Sequence, residues 1–309
     1  MPAYVVKRLL SAVVVLWAIL TLVFIAGRFV GDPAHLILGA EAEATRVAAL
    51  RAELGLDQPL IDQYMSFLRG ASTGDFGISY WQSVPAMDLV MLRLPPTLYL
   101  SAVAIAVSVP LAVLAGVFAA WKPDSLIDRG TSILSLATAS VVEFWLALML
   151  ILAFAVHLGW FPTSGYKGFG IDGLQYLILP AVVLSLRPIG RIAQVTRSAI
   201  GDELNKPYIT AARARGFGDR RLLLRHGLRN SLIPVITLSG DELISMVGGL
   251  VVLETIFAWP GVGQLTVQAI ERRDLPTIEA VVFVVGVMVV IINLVVDLIY
   301  AYINPRIRY

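Results

Sequence analysis

The chain contains no cysteine, which excludes disulfides, thiolate metal sites and a cysteine nucleophile. Charge is scarce as well: 15% of the 309 residues are Asp, Glu, Lys or Arg, against 58% hydrophobic, and the mean hydropathy is +0.79. A soluble domain of this length carries far more charge. The only histidines, His35, His157 and His226, lie far apart with no carboxylate at ligand spacing, so a metal site built within the chain is not expected. No G-x-x-x-x-G-K-[ST] pattern occurs, so the chain has no phosphate-cradling loop of that kind. Internal repeats and low-complexity tracts are also lacking. What is there is apolar sequence in long uncharged runs, the mark of a membrane protein.

Six segments are long and apolar enough to span, at about 9–29, 97–120, 131–157, 174–198, 232–257 and 278–303. Each has the roughly 20 residues that cross a hydrocarbon core of about 30 Å. The first follows Lys7-Arg8 and exceeds the about 7–15 apolar residues of a signal peptide, so it is read as a retained helix. In the fourth, Arg187, Pro188 and Arg191 confine the apolar part mainly to Leu174–Leu186, and its last turns are expected to emerge into the cytoplasm. Pro95-Pro96 is expected to restart the chain at the second helix. The expected fold is an all-α membrane protein with six transmembrane helices. It divides into a first helix (1–30), an extracytoplasmic loop with short helices (31–96) and a five-helix core (97–309) whose cytoplasmic loop is 199–231.

Orientation follows from the basic residues. Lys7, Arg8, Lys122, Arg129, the loop between the fourth and fifth spans, and Arg306 with Arg308 fall on one side if there are six spans. On the other side, Asp32, Glu41, Glu43, Glu53, Asp57, Asp62, Asp75 and Asp88 outnumber Arg46, Arg51, Arg69 and Arg93. Both termini are therefore expected in the cytoplasm. In the long loop, Glu43–Leu54 and Pro59–Leu68 have helical patterning around a Gly55–Pro59 break, and Gly70–Gly77 is turn-rich.

Several spans carry a stripe of small or polar residues. In the second, Thr97, Ser101, Ala104, Ser108, Ala112, Ala115 and Ala119 share a face suited to close helix packing. Thr237, Asp241, Ser245 and Gly248/Gly249 do so in the fifth, Ser135, Ala139 and Glu143 in the third, and Asn293 and Asp297 in the sixth. Such faces are expected to point toward protein or water. Trp121, Trp160 and Trp259 stand at span ends, where an aromatic belt is expected.

The loop from Tyr208 to Pro234 carries Arg213, Arg215, Arg220, Arg221, Arg225 and Arg229, which positive-inside topology alone would explain. Its small residues say more: Ala211, Ala212 and Ala214 followed by Gly216 and Gly218 read as a short helix and a sharp turn. Here the chain resembles the permease subunits of bacterial ATP-binding-cassette importers, whose loop motif is E-A-A-x-x-x-G followed by a hydrophobe and proline. Thr210, Ala211, Ala212, Gly216 and Ile233-Pro234 occupy the matching positions, with threonine in place of the glutamate and a longer distance to the proline. Both departures are shared with the dipeptide/oligopeptide/nickel branch, where Y-[IV]-x-x-A-[RK]-A-[RK]-G is usual. Here it is Tyr208, Ile209, Ala212, Arg213, Ala214, Arg215 and Gly216. Leu54-Gly55-Leu56-Asp57 with Pro59 and Tyr64, Gly74–Ser79, Glu254–Phe257 with Trp259–Gly263, Arg273-Asp274 with Pro276, and Asn304-Pro305-Arg306 resemble the same branch. The long loop after the first helix is similar to that of its B-type permease rather than the C-type partner.

The resemblance implies the type I importer permease fold and half of a translocation pathway for di- or oligopeptides, working by alternating access. It implies as partners a C-type permease, two cytoplasmic ATP-binding subunits that hold the ATP and magnesium, an extracytoplasmic solute-binding protein and membrane lipids. No nucleic acid, no cofactor in this chain and no enzymatic activity are expected. Tyr208, Thr210, Ala211, Ala212, Arg213, Arg215, Gly216, Phe217, Gly218 and Asp219 become the residues of an ATPase-coupling loop. Nickel or haem remain alternative substrates within the class. An ion-coupled secondary transporter is the alternative outside it, with Glu143 and Asp241 as its candidate acids.

Glu143, Asp241 and Glu242 lie within expected spans, where a charge costs about 2.5–3.5 kcal/mol on insertion scales. The related permeases usually have small or apolar residues near Asp241 and Glu242, and a proline where Val142 stands, so the resemblance gives these acids no role. Glu143, Asp241, Ser245 and Glu254 are candidate pathway residues, and Asp241 is the one expected to attract a cationic group such as a peptide amino terminus. Glu242 is instead expected to bond to a neighbouring helix. Glu254, near the outer end of the fifth helix, is a candidate gate or binding-protein contact, with helix capping as the alternative.

Overall fold

The computed structural model describes residues 2–30, 34, 38, 43–53 and 55–303. Asp32, His35, Glu41, Leu54, the terminal Asn304-Pro305-Arg306 with Arg308, and the side chains of Lys7 and Ala139 lie outside the described residues. Among the described residues the chain is helical apart from turns and one isolated β-bridge, Ile78 to Pro85. Helix α1 is Pro2–Val30, α2 Ala44–Glu53, α3 Leu60–Thr73 and α4 Ala86–Trp121. Helix α5 is Leu126–Ser140 and α6 Glu143–His157, the latter wound as a π-helix from Ile151. Then follow α7 (Ile171–Leu204), α8 (Pro207–Ala214), α9 (Asp219–Ile256, π-wound over Leu222–Leu228), α10 (Val262–Glu271) and α11 (Leu275–Ile303).

Among the described residues five helices are long and apolar enough to cross a membrane, six if α5 and α6 form one broken span. Three expectations need correction. The third span is not a rod: α5 and α6 meet at 104°. Val141 and Val142 are both extended, with ψ of 130° and 125°, so neither continues the helical ladder. Pro95-Pro96 does not restart the second helix, because α4 begins at Ala86 and runs through both prolines. Each proline removes one amide donor and frees a carbonyl upstream, a local loss that a long helix survives when neighbouring groups bond to the strained stretch. The carbonyls freed here are those of Met91 and Leu92; one turn further on, Trp259 Nε1 donates to the Pro96 carbonyl at 3.0 Å. Trp259 is accordingly only 1% exposed and belongs to the core, not to an aromatic belt. The fourth span, expected at about 174–198, is present and longer than its apolar part. Helix α7 continues to Leu204 with Pro180 and Pro188 inside it, and Ile192, Ala193, Thr196 and Ile200 are all buried. Its weak apolar signal has a physical cause. Of its span, 61% is buried against protein, against 11% for α11, so α7 needs little lipid-facing leucine.

The chain divides into two compact units, Met1–Pro95 with Gly261–Ile291, and Pro96–Pro260 with Ile292–Tyr309. In the first, Leu20 of α1, Ala71, Phe76, Val90, Leu265 and Val281 form the core. An aromatic series runs through it, from Phe24 to Phe67, Phe76 and Phe283 with ring centroids 5.5, 6.2 and 5.2 Å apart. Asp274, 1% exposed, ends the α10–α11 turn. It accepts from Ser79 Oγ at 2.5 Å, the Tyr80 amide at 3.0 Å and Thr277 Oγ1 at 2.7 Å. Two motifs nearly 200 residues apart in sequence, at Ser79 and Asp274, are thus one structural joint. The same unit holds a cleft of about 780 Å³ between Phe24, Gln63, Phe67, Tyr80 and Glu279.

In the second unit α7 is the centre. The small-residue stripe of α4 lies against it: Ala104, Ser108, Ala112 and Ala119 are fully buried. A Cβ on Gly116 would stand 2.6 Å from Thr196 Cβ and 2.7 Å from the Ala193 carbonyl, which measures how closely the two helices approach. On another side, Ser135 of α5 donates to the Gly190 carbonyl at 2.9 Å, and a Cβ on Gly190 would meet Thr138 at 2.1 Å. Small residues bring backbones together so that dispersion and hydrogen bonds replace the hydrophobic drive that lipid does not supply.

Candidate functional site

Helix α8 starts at Pro207, whose fixed φ suits a first helical position. It ends at Ala214, with Gly216 at φ 84°, a left-handed conformation that glycine adopts without strain. The Gly216 amide donates to the Arg213 carbonyl at 3.0 Å and the Phe217 amide to the Ala212 carbonyl at 3.3 Å, which closes the helix. Gly218 then leads into α9 through an extended conformation, and Arg213 Nε lies 3.2 Å from Asp219 Oδ1 across the turn. The helix and sharp turn that the small residues imply are therefore present. Ile209 is fully buried and anchors α8, while Thr210, Ala211 and Ala214 are exposed and Ala212 is half-buried. The outward face is thus small and smooth. All six arginines of the loop are exposed, and Arg221 lies 5.0 Å over the Phe217 ring. Beside them is a recess of about 470 Å³ between Gly218, Arg220, Arg221, Leu224 and Arg225.

A feature that motif reasoning missed fixes this helix to the spans on either side. Glu203, 7% exposed in the last turn of α7, accepts from the Tyr208 hydroxyl of α8 and from Asn230 Nδ2 of α9 at 2.8 Å. Asn230 also donates to the Tyr208 oxygen at 3.0 Å, and Lys206 pairs with the same carboxylate. One buried carboxylate therefore gathers α7, α8 and α9. The Lys206 ammonium is held above its ordinary pKa by its bond to Glu203, and the Tyr208 phenol is pushed up by burial and by the same carboxylate. Below this joint, Arg197 of α7 makes a two-point contact with Asp128 of α5, with Nη2 to Oδ2 at 2.8 Å.

The charges inside the spans do not stand alone. Arg187 Nη1 of α7 lies 3.7 Å from Glu143 Oε1 of α6, and Arg191, one turn further on, binds Glu242 of α9. Glu242 is 1% exposed, so it bonds to a neighbouring helix, as expected for it. Asp241, next to it in sequence, is exposed, and Ser245 is half-buried on the same helix. Their face is not the one that α9 packs inside this unit; Val235, Met246, Leu250 and Leu253 form that face.

Glu254, the candidate gate residue, is closed off in the observed conformation. It is 0% exposed, with Thr97 Oγ1 donating to its Oε1 at 2.6 Å, and Trp259 donates its backbone amide to the Glu254 carbonyl at 2.8 Å. Tyr166 packs edge-on against Trp259 at 4.8 Å. Glu254 therefore ties α9 to α4 inside this unit in the observed conformation. The α4 residue that satisfies it, Thr97, was legible only as part of a packing stripe.

The family model for the inner membrane component of binding-protein-dependent transport systems matches residues 112–309, and the model for the N-terminal part of that membrane component matches 1–101. A putative peptide transport system permease protein of Brucella abortus is 40% identical over 313 residues, covering 100% of both chains. The glutathione transport system permease protein of Escherichia coli is 39% identical over 307 residues, 99% of each. A methionine ABC transporter solved in inward-facing conformations covers 71% of this chain and 97% of its own, with TM-score 0.52 at 21% identity. An amino acid ABC transporter solved with histidines covers 70% of this chain and 94% of its own, with TM-score 0.53 at 16% identity. The two structures speak for the fold alone, that of type I importer permeases. The chain belongs to the family of binding-protein-dependent transport system inner membrane components, and is a permease component of an ABC importer of the bacterial inner membrane.

Proposed function

We propose that this chain forms half of the translocation pathway of an ATP-driven importer of di- and oligopeptides, operating by alternating access. It pairs with a C-type permease, and two ATP-binding subunits dock from the cytoplasm, where both termini and the 199–231 loop lie. A solute-binding protein delivers the ligand from outside. The observation that carries this reading is α8: a helix with an exposed small-residue face, closed by Gly216 and held to both adjacent spans through Glu203. Such a helix fits a groove, and its rigid attachment means that a push on α8 tilts α7 and α9 together. The names of two relatives matched over their full length, peptide and glutathione permeases, support a peptide-like substrate.

Gentle purification is expected to bring down a second permease and an ATPase pair. In proteoliposomes, that complex with loaded binding protein should take up peptide only when ATP is present. Proline holds φ near −65°, so Gly216→Pro cannot adopt the observed 84°. This variant, like Ala212→Trp, should remain in the membrane yet lose uptake and stimulated ATP hydrolysis. Uptake that follows an ion gradient and ignores ATP would overturn the proposal.

A further inference from the structure

Glu143, Arg187, Arg191, Asp241 and Glu242 come from three helices, and the coupling loop uses none of them. Arg187 sits near the middle of α7, and Glu242 near the middle of α9. In both ion pairs of this cluster the cation is the more accessible partner. The Arg187 and Arg191 side chains are 42% and 44% exposed, while their partners Glu143 and Glu242 are 26% and 1% exposed. The guanidinium groups therefore stand in front and the carboxylates behind. Charges half-exposed at mid-span do not face hydrocarbon; they face water or another protein.

The two pairs differ in kind. Arg191 binds Glu242 directly, whereas the 3.7 Å between Arg187 and Glu143 is an ion pair outside hydrogen-bond distance. Glu143 is also wedged in place: a Cβ on Gly249 would stand 2.5 Å from its Oε2. The carboxylate behind Arg187 thus sets its charge environment without occupying its fork of donors, which matches a carboxylate bidentately.

We propose that Arg187, assisted by Arg191 one turn away, receives the carboxylate of the passing solute and makes the pathway selective for solutes with a free carboxylate. Exposed Asp241 supplies the complementary site for an ammonium group, so the cluster as a whole suits a zwitterion. The inference rests on the proposed function for its placement in a pathway, and it extends that reading from peptides in general to recognition of their free termini.

The test uses the complete complex with saturating loaded binding protein, comparing a peptide with a free C-terminus and its C-terminal amide. Arg187→Gln should lower uptake of the free-carboxylate peptide about 10-fold, the scale of one charge-assisted hydrogen bond, and change uptake of the amide less than about 2-fold. Arg187→Lys should keep much of the discrimination. The exchange variant Glu143→Arg/Arg187→Glu restores the ion pair but not a forward-facing cation, so it should recover protein yield and basal ATP hydrolysis without recovering uptake. Equal loss for both peptides, rescue of uptake by the exchange, or loss of the co-purifying permease in Arg187→Gln would each overturn the inference in favour of a structural strut. A wild-type complex that carries carboxylate-bearing solutes but no peptide would overturn the peptide reading and leave the cluster intact. One that carries only solutes without a carboxylate would overturn the cluster's role.

Discussion

Glu203 joins three helices through bonds to Tyr208, Asn230 and Lys206, and its value lies in what its removal leaves behind. Glu203→Ala removes the bonds to Tyr208, Asn230 and Lys206 together and leaves the exposed Tyr208 and Asn230 bonded to each other but no longer to α7. Tyr208→Phe removes two bonds, one to Glu203 and one from Asn230, each about 0.5–1.5 kcal/mol. Both variants should retain the fold, because Ile209 still anchors α8. Both should loosen the link between ATP hydrolysis and transport, with the greater loss for Glu203→Ala. The ratio of ATP hydrolysed to solute accumulated in proteoliposomes measures this directly. A ratio unchanged in Glu203→Ala would remove the carboxylate from the coupling path.

Between elements, glycine sets the packing distance. Gly190 faces Thr138 of α5, where a Cβ would intrude to 2.1 Å, whereas Gly248 of α9 has nothing within 4 Å of its own. Gly190→Val should therefore destabilise the chain by roughly 1–3 kcal/mol through overpacking, and Gly248→Ala should be close to neutral. Thermal unfolding in detergent compares the two, and equal midpoints would show that α5 yields freely. The same closeness explains the bend after α5. Helix α5 leans on α7 at Gly190 and α6 leans on α9 at Gly249, so extended Val141 and Val142 let one segment serve two neighbours.

For the whole molecule, the division into two units predicts separable stabilities. Asp274→Ala deprives Ser79, the Tyr80 amide and Thr277 of their common acceptor inside the first unit. Proteolysis between residues 55 and 85 should accelerate several-fold, while fragments from the second unit persist unchanged. Simultaneous degradation of both units would show that they unfold as one. The stretch from Phe67 to Tyr80 is thus held by a buried acid and an aromatic series.

Apolar run length and residue order by themselves determined that this is a helical membrane permease with a short helix and turn at 207–218. Hydrocarbon demands satisfied backbone over about 20 residues, and small residues with glycine encode the turn locally. Where protein replaces lipid around a helix, those signals weaken. Helix α7 carries arginines and prolines because protein surrounds it, and α4 runs through two prolines where Trp259 packs and bonds to the Pro96 carbonyl. Only the tertiary structure decided the partners of the charged residues. Glu242 took Arg191, Glu143 stands behind Arg187, Glu254 took Thr97, and Asp241 was left outside. Such pairings join residues 44 to 157 positions apart, and no local periodicity records which of several compatible charges a helix will meet.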